Sequence, residues 1–202
     1  MTHMSEDMLP DASKNLLLQM TARRNVAPKR LVEPGPNEEQ LNLIFRAASN
    51  APDHECIQPW RFIVVPHNKR ANLANAFVQA LKHRDPNASQ EQIDAAHEKA
   101  FRAPCLIMAV ISDLPSEPHV PLNERLISLG CAIQNMLLMA ETLAIGSGIT
   151  SGKAMNSQSI RDLFYLTDHE EGVCFLNFGT VSSRKPARPR ARASPSAFVS
   201  HL

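Results

Sequence analysis

A polar loop at residues 51–60, A-P-D-H-E-C-I-Q-P-W, contains four consecutive side chains that could carry metal or acid–base chemistry. Asp53, His54, Glu55 and Cys56 can each ligate a metal ion. Adjacent residues rarely converge on one ion, however, and no second ligand pair stands elsewhere in the chain at recognisable spacing. We therefore predict no metal site and interpret this stretch as a turn with exposed polar groups.

Two cationic segments could bind a phosphate group. Arg23 and Arg24 lie at the end of a predicted amphipathic helix, and residues 184–192 carry five basic side chains and no acidic one. Paired guanidinium groups form charge-assisted hydrogen bonds with phosphate oxygens. A solvated surface is the alternative interpretation of each cluster, and the residues alone leave both open.

The composition argues against several classes of protein. The 21 basic and 20 acidic residues nearly cancel, and one Trp and one Tyr offer few stacking platforms for nucleic acid. The N-terminus lacks the apolar core of a secretory signal, and no apolar run approaches the roughly 18 residues of a membrane-spanning helix. Four widely spaced cysteines without a C-x-x-C pair suit a reducing compartment. We predict a cytoplasmic protein that binds neither nucleic acid nor membrane.

The polar loop leads directly into a predicted core strand, because residues 62–65, F-I-V-V, form a continuous apolar run rich in β-branched side chains. Similar runs predict strands at residues 103–111 and 172–180. Capping residues and apolar spacing predict helices that begin at or next to Ser13, Asn37, Asn68, Ser89, Asn123 and Ser157. The fifth of these helices is apolar around most of its circumference, which is typical of a central buried helix.

The chain is predicted to form a single domain over residues 1–202, with a flexible start at residues 1–12. Gly146 and Gly148 are expected to end the long fifth helix. Beyond the third strand, three prolines prevent a regular helix. Residues 181–202 are therefore predicted to be either disordered or an extended arm that crosses another surface.

Four sequence blocks stand out by their order and spacing: R-R-N at residues 23–25, A-P-D-H-E-C-I-Q-P-W-R-F-I-V-V at 51–65, G-C-A-I-Q-N-M-L-L-M-A at 130–140 and F-L-N-F-G-T at 175–180. Together they resemble the nitroreductase family, and most of all its small single-domain members with an A-P-D-H loop. The resemblance runs from about Leu16 to the C-terminus. It implies an α+β fold, a three-layer α-β-α sandwich with a central mixed sheet. It also implies a homodimer with FMN at each of two subunit interfaces and an extended C-terminal arm that wraps the partner.

The resemblance further implies a set of cofactor-binding residues: Arg23, Arg24, Asn25, Asn50, His54, Ile149, Thr150, Ser151 and Arg190. The first three match the segment that binds the FMN phosphate and pyrimidine edge. The next two match positions beside the flavin, the former reached from the other subunit. Residues 149–151 match the segment that passes the isoalloxazine ring and usually lends it a backbone N–H. For the phosphate contact from the arm, Arg188 or Arg192 would serve as well as Arg190.

The activity implied by the resemblance is that of an FMN-dependent oxidoreductase. NAD(P)H would reduce the flavin and leave, and a nitroaromatic or quinone-like oxidant would then take the electrons in the same pocket, which is a ping-pong mechanism. No side chain need be an obligatory acid or base, so we predict no catalytic residue. Two alternatives stay open: a flavin-binding or sensing dimer with little turnover, and a flavin-fragmenting or dehalogenating relative on the same scaffold.

Three of these positions depart from the family pattern. Asn25 replaces the usual Ser, but it still offers a hydrogen-bond donor and an acceptor. Ile149 and Thr150 replace the Trp and Arg of the nearest members. These two replacements bear on flavin stacking, substrate shape and nicotinamide preference, and they favour the sensing dimer among the alternatives.

Overall fold

The computed structural model describes residues 9–113, 115–182 and 192–202. The helices are α1 Asp11–Ala22, α2 Glu38–Ala48, α3 Arg70–Arg84, α4 Gln90–Glu98, α5 Leu122–Thr142 and α6 Gln158–Leu163. The strands are β1 Leu31–Val32, β2 Trp60–Val64, β3 Cys105–Ser112, β4 Gly146–Thr150 and β5 Glu170–Val181. Helices and strands both contribute large parts of the chain, so the predicted fold class α+β is confirmed.

Reciprocal side-chain caps begin two of the helices at the predicted residues. The Asn37 side chain accepts from the Gln40 N–H at 2.8 Å, while the Gln40 side chain accepts from the Asn37 N–H at 3.0 Å. Ser89 and Gln92 make the same pair of hydrogen bonds before α4. Each pair satisfies two backbone donors that the first helical turn would otherwise leave without partners. The two capping-box predictions are therefore confirmed.

Two other predicted caps are wrong. Helix α1 begins two residues before Ser13, directly after Pro10. Helix α3 begins after a 3₁₀ turn that follows Pro66 and contains Asn68, and neither helix has a side-chain cap. In both places the fixed φ of a proline leads the chain into its first turn. The asparagine and serine side chains are consequently not needed as caps.

The sheet has the strand order β1-β5-β3-β2, and β4 pairs with β5 on the side opposite β3. Each of these ladders is antiparallel. Parallel pairing is limited, among the described residues, to one isolated bridge between Asn25 and Ser147. The predicted central sheet is confirmed. The parallel pairing that a mixed sheet requires is, in the described residues, confined to this bridge. Strand direction depends on how the connecting helices pack, which an apolar run does not reveal.

Strand β3 is buried on both faces and separates two hydrophobic layers. Its even-numbered side chains, Leu106, Met108 and Val110, pack with α3 and α6, and its odd-numbered side chains pack with α2 and α5. None of residues 106–111 is more than 3% exposed. Burial on both faces explains why this strand reads as a continuous apolar run. The strand predicted at residues 103–111 and the three-layer sandwich are both confirmed.

Strand β2 lies at an edge of the sheet rather than in its centre. It pairs only with β3 in the described part of the chain, and Val64 is 41% exposed. The prediction of a strand at this position is confirmed, but the prediction that it is buried on both faces is wrong. An apolar run of four residues indicates a strand without showing how many neighbours that strand has.

Strand β4 was not predicted, because its two glycines were interpreted as the end of the preceding helix. In the structure they allow close packing along both sides of the strand. A Cβ atom at Gly148 would overlap the carbonyl of Val26, and one at Gly146 would overlap the side chain of Val181. Glycine in a strand often marks such a close backbone approach. Gly148 therefore admits the segment that follows α1, and Gly146 makes room for the Val181 side chain of β5.

Helix α5 runs across one face of the sheet and is the predicted central buried helix. Its buried residues are Arg125, Ser128, Leu129, Ala132, Ile133, Met136, Leu137 and Ala140. The apolar ones among them pack with α2 and with the odd-numbered side of β3. Within the described ranges, neither α5 nor any other helix has the length and apolar character needed to cross a bilayer.

Candidate functional site

The segment after α1 lies along the outer edge of β4. The Val26 N–H donates to the Ser147 carbonyl at 2.8 Å, next to the parallel bridge between Asn25 and Ser147. The Asn25 Oδ1 accepts from the Ile149 N–H at 2.8 Å. The structure thus brings the predicted R-R-N segment against the predicted I-T-S segment, although the two are far apart in the sequence. We call this place the β4 corner.

The β4 corner concentrates positive charge. Arg23 and Arg24 are half-buried there, and Arg192 donates from Nη2 to the Arg23 carbonyl at 3.3 Å. Arg190 and the alternative Arg188 lie outside the described residues. Of the three arginines considered for the arm, Arg192 is the one that the structure places, and it adds a third guanidinium group near the first two. Clustered positive charge of this kind attracts anionic ligands.

Buried polar groups that the sequence analysis missed support the β4 corner. Asn177 is 3% exposed, and its Nδ2 donates to the Gly148 carbonyl at 3.2 Å and to the Thr150 hydroxyl at 3.0 Å. The Ser147 hydroxyl is buried without a hydrogen-bond partner in the described part of the chain. A signal for Asn177 was available, because this amide interrupts the otherwise apolar F-L-N-F block and buried polar groups need partners.

The donors at the β4 corner fit an anionic ligand with a polar ring edge. The side chain of Asn25 is exposed, and while its oxygen accepts from Ile149, its Nδ2 amide has no partner among the described residues. The Ser151 hydroxyl donates to the Val173 carbonyl at 3.1 Å, which leaves its oxygen able to accept. An amide donor beside two guanidinium groups is a suitable donor set for a phosphate and for ring carbonyl groups.

A cavity of about 530 Å³ lies beside the same corner. Thr150, Ser151 and Asn177 line it, together with buried apolar side chains of α3, β3 and β5. Small organic ligands commonly occupy concave, mostly apolar pockets of roughly 300–1,000 Å³. Two of the residues predicted from the sequence therefore line a cavity of suitable size.

Asn50 and His54 lie at the other edge of the sheet. The Asn50 Nδ2 donates to the Arg46 carbonyl at 2.8 Å at the end of α2, and the His54 Nδ1 bonds to the Glu124 Oε2 at 2.6 Å at the start of α5. Strands β2 and β4 are three inter-strand spacings apart, roughly 14 Å. A single chain therefore does not bring these two predicted residues to the β4 corner.

Histidine–carboxylate pairs hold the loop that carries His54. The Glu124 carboxylate accepts a hydrogen bond from the His54 ring, and this bond raises the pKa of His54 above its ordinary value. The His119 Nε2 bonds to the Glu55 Oε2 at 2.7 Å, and this bond lowers the pKa of the Glu55 carboxyl. All four side chains are about half exposed to solvent, so each pair contributes little to stability.

The backbone of this loop is unusual for residues other than glycine. Glu55, Cys56 and Gln58 have φ angles of 56°, 57° and 45°. Asp53 supports the turn, because its Oδ2 accepts from the Gln58 N–H at 2.6 Å. A left-handed conformation costs an ordinary residue roughly 1–2 kcal/mol. The loop therefore carries backbone strain at three residues other than glycine, and its shape could not be predicted from the sequence pattern.

One group of side chains near this loop could in principle ligate a metal. Glu55, Glu117 and His119 offer ligand atoms that all lie within 4.8 Å of one another. These side chains are exposed or half-exposed, and the His119–Glu55 ion pair accounts for their proximity. Of the four potential ligands in the A-P-D-H-E-C loop, only Glu55 belongs to this group. The absence of a metal site stays a prediction.

Solved structures identify the class of protein to which this fold belongs. The nitroreductase-like family protein from Bacillus cereus matches with a TM-score of 0.78 at 17% identity, over 100% of this chain and 98% of that one. A nitroreductase with bound FMN from Bacteroides fragilis matches with a TM-score of 0.71 at 17% identity, over 93% of this chain and 98% of that one. The architecture is therefore nitroreductase-like.

Sequence similarity then identifies the family. A family model described as "Nitroreductase family" matches residues 30–180. The Escherichia coli (strain K12) protein named "Putative NAD(P)H nitroreductase YdjA" is 33% identical over 182 residues, which cover 90% of this chain and 93% of that protein. The chain belongs to the nitroreductase family. The family predicted from the four sequence blocks is thereby confirmed.

Proposed function

We propose that this protein is an FMN-dependent oxidoreductase that uses NAD(P)H to reduce nitroaromatic or quinone-like acceptors by a ping-pong mechanism. The observation that carries the proposal is the Asn25–Ile149 hydrogen bond, because it holds the R-R-N segment against the end of β4. Family membership and the names of the relatives support it. FMN, when bound, accepts hydride from NAD(P)H and passes the electrons to the acceptor, which is chemistry that no side chain supplies.

The chain's own residues would bind and orient that cofactor. Arg23 and Arg24 would hold its phosphate through charge-assisted hydrogen bonds. The Asn25 amide would donate to the pyrimidine edge, and residues 149–151 would lie along the ring. The arm would add a further phosphate contact: Arg190, or else Arg188 or Arg192.

The proposed active form is a homodimer. Large apolar side chains are exposed along two helices: Leu16, Leu17, Leu18 and Met20 of α1, and Leu122, Leu126 and Ile127 of α5. Helix α1 has no buried residue in the single chain. Exposed apolar patches of this extent mark protein–protein contacts. A second copy packed here would also supply its own Asn50 and His54, which one chain keeps away from its β4 corner.

The proposed compartment is the cytoplasm. Cys56, Cys105, Cys131 and Cys174 are all free thiols. Burial raises the pKa of the Cys105 and Cys174 thiols to about 11, so these two stay protonated and unreactive at neutral pH. Four free thiols without a disulfide among them suit a reducing compartment. Recovery of the protein with a cytosolic marker after cell fractionation would test this assignment.

Binding of FMN by purified protein is the first test. The double variant Arg23→Ala/Arg24→Ala should raise the FMN dissociation constant by roughly a hundredfold or more, because hydrogen bonds to charged groups contribute about 1.5–3 kcal/mol each and every ~1.4 kcal/mol is a factor of about ten. The matched control Lys69→Ala/Lys82→Ala removes two exposed charges elsewhere and should bind FMN as the unaltered protein does. Unchanged affinity in the arginine variant would remove both arginines from the site.

Turnover separates the reductase from a flavin-binding or sensing dimer. Steady-state oxidation of NAD(P)H with a nitroaromatic or a quinone, giving parallel double-reciprocal lines, would support the ping-pong reductase. The replacements at Ile149 and Thr150 keep the sensing dimer as the second candidate, and bound FMN without turnover would establish it. Halide release from a halogenated phenol would instead indicate the dehalogenating relative on the same scaffold.

The oligomeric state is the third test. Light scattering during size-exclusion chromatography should give twice the mass of one chain. Replacement Ile127→Glu puts a charge on a side chain that is 63% exposed in the single chain and should shift the population towards monomers. The control Lys82→Glu changes an exposed position on α3 and should leave the mass unchanged. A monomer in the unaltered protein would refute the dimer.

A further inference from the structure

The cavity beside the β4 corner has two kinds of lining. One part is apolar and at most 9% exposed: Phe77, Leu81, Ala96, Leu106, Met155 and Phe175. The other part consists of four cations, of which Arg102 is half-buried and the rest are exposed: Arg84, Lys99, Arg102 and Lys153. No Asp or Glu of the described chain lines this cavity. An aromatic ring would suit the first part and an anionic group the second.

Three of these four cations have no carboxylate partner in the described part of the chain. Only Arg102 approaches one, with its Nη2 4.0 Å from the Glu98 Oε2. The cations also come from separate segments. Arg84 ends α3, where a positive charge interacts favourably with the helix dipole, but Lys153 lies in the loop after β4, where no such explanation holds. Lys99 directly follows α4 and has the same explanation as Arg84, so helix stability accounts for these two cations but not for Lys153, which meets them at one cavity.

We propose that this cavity selects an aromatic reactant that carries an anionic group. The ring of the reactant enters the apolar part of the cavity, and its anionic group meets Arg84 and Lys153. This inference rests on the proposed function, because Thr150 and Ser151, which would lie along the FMN ring, also line the cavity. The anionic group has two possible sources: a carboxylate on the electron acceptor, or the 2′-phosphate that NADPH carries and NADH lacks.

The expected preference for an anionic reactant over a neutral one is moderate, because the cations are exposed. An exposed unit charge about 5 Å from the anion contributes roughly a threefold to tenfold preference, and two such charges contribute roughly tenfold or more. Added salt should reduce the preference, since the Debye length falls from about 10 Å at 0.1 M to about 3 Å at 1 M.

The acceptor is tested with 4-nitrobenzoate and 4-nitrobenzamide, which share the ring and the nitro group but differ in charge. The measured quantity is the ratio of their kcat/KM values at a fixed NADPH concentration. In the FMN-loaded variant Arg84→Gln/Lys153→Gln, the ratio should shift roughly tenfold towards the neutral acceptor, while kcat/KM for 4-nitrobenzamide stays the same. The control Lys69→Gln/Lys82→Gln loses the same charge outside the cavity and should keep the original ratio.

The nucleotide is tested with NADPH and NADH at a fixed concentration of 4-nitrobenzamide. If the cations meet the 2′-phosphate of NADPH, the same double variant should lose preference for NADPH over NADH and keep its ratio between the two acceptors. A shift in the acceptor ratio assigns the anionic group to the acceptor, and a shift in the nucleotide ratio assigns it to the nucleotide. If neither ratio shifts, the proposal is overturned while the reductase function stands.

A binding measurement keeps this proposal separate from the proposed function. Isothermal titration of the purified protein with 4-nitrobenzoate, 4-nitrobenzamide, NADP⁺ and NAD⁺ needs no turnover. Tighter binding of the more anionic member of either pair, lost in Arg84→Gln/Lys153→Gln but not in the control, supports the anion site even if NAD(P)H oxidation is absent. Equal binding within both pairs overturns it. Failure to bind FMN would count against the reductase alone.

Discussion

The two edges of the sheet are built by different chemistry. At the β4 edge, neutral hydrogen bonds of Asn25 and the buried Asn177 hold two backbone segments together, and glycines permit their close approach. At the β2 edge, exposed histidine–carboxylate pairs hold a loop whose backbone has positive φ at three residues other than glycine. The first edge resembles a core, and the second resembles a surface.

This difference indicates how the two halves of the proposed site behave. Hydrogen bonds between neutral groups do not titrate and respond little to salt, so the β4 corner should be preformed in each chain. Exposed ion pairs are weak and respond to both pH and salt, so the loop that carries His54 should change its conformation more easily than the β4 corner. In the proposed homodimer, a rigid corner from one chain would face an adjustable loop from the other.

The largest expected effect concerns a buried guanidinium behind the β2 edge. Arg125 is 3% exposed and donates to three backbone carbonyls: Ser112, Glu117 and Val120. The replacement Arg125→Met leaves these carbonyls without their donors and should lower the free energy of unfolding by roughly 3 kcal/mol. Urea denaturation measures the change, and the exposed control Arg46→Met should stay within about 0.5 kcal/mol. A loss as small as the control's would show that the exposed pairs alone hold this edge.

A somewhat smaller loss is expected at the β4 edge. In Gly148→Ala the new Cβ would overlap the Val26 carbonyl, which cannot move without breaking the bond to β4. We expect a loss of roughly 2 kcal/mol in the free energy of unfolding, together with weaker FMN binding. The control Gly152→Ala places its Cβ in open space four residues further along. Equal stability of the two variants would contradict the close approach at this edge.

The Asn25–Ile149 hydrogen bond allows a sharper test of the same edge. Asn25→Ala removes the acceptor of the Ile149 N–H and should cost about 1 kcal/mol locally. Amide hydrogen exchange of Ile149, followed by NMR, should become faster. The variant Asn25→Asp keeps an acceptor oxygen at the same position and should retain the protection. Unchanged exchange in the alanine variant would mean that another group protects this amide.

The smallest effect is the pH response of the β2 edge. The raised pKa of His54 means that its pairing with Glu124 stabilises the loop fully below the ordinary histidine pKa of about 6.5. That contribution is lost as the pH rises through the raised value. An NMR titration of His54 should give a lower pKa in Glu124→Gln than in the unaltered protein. Identical titration curves would show that the two side chains do not interact in solution.

Parts of the fold could be predicted because their signals are local. The capping boxes at Asn37 and Ser89 depend on residues three positions apart, and they were predicted correctly. Strand β3 was predicted because burial on both faces leaves a continuous apolar run. In contrast, β4 was missed because a glycine can either end a helix or allow close packing along a strand, and the neighbouring residues do not distinguish the two cases. Local signals thus identify elements but not their neighbours.

The residues of the candidate site also divide into those that the sequence identified and those whose role depends on the tertiary structure. Residues 23–25 and 149–151 were named from a family resemblance, and the structure joins them through one side-chain hydrogen bond. Asn177 was missed, because its role depends on β4 lying next to β5. Asn50 and His54 remain predictions, since one chain places them at the opposite edge. The role of Arg190 also stays a prediction, because it lies outside the described residues.

The amino-acid sequence by itself determined the family, the α+β class and most of the helices, because these depend on residue types at short and regular spacing. Only the tertiary structure decided that β2 is an edge strand, that β4 exists, and that the R-R-N segment lies beside it. The physical reason is that each of these facts is a pairing between distant segments. Such a pairing depends on which surfaces are complementary in three dimensions.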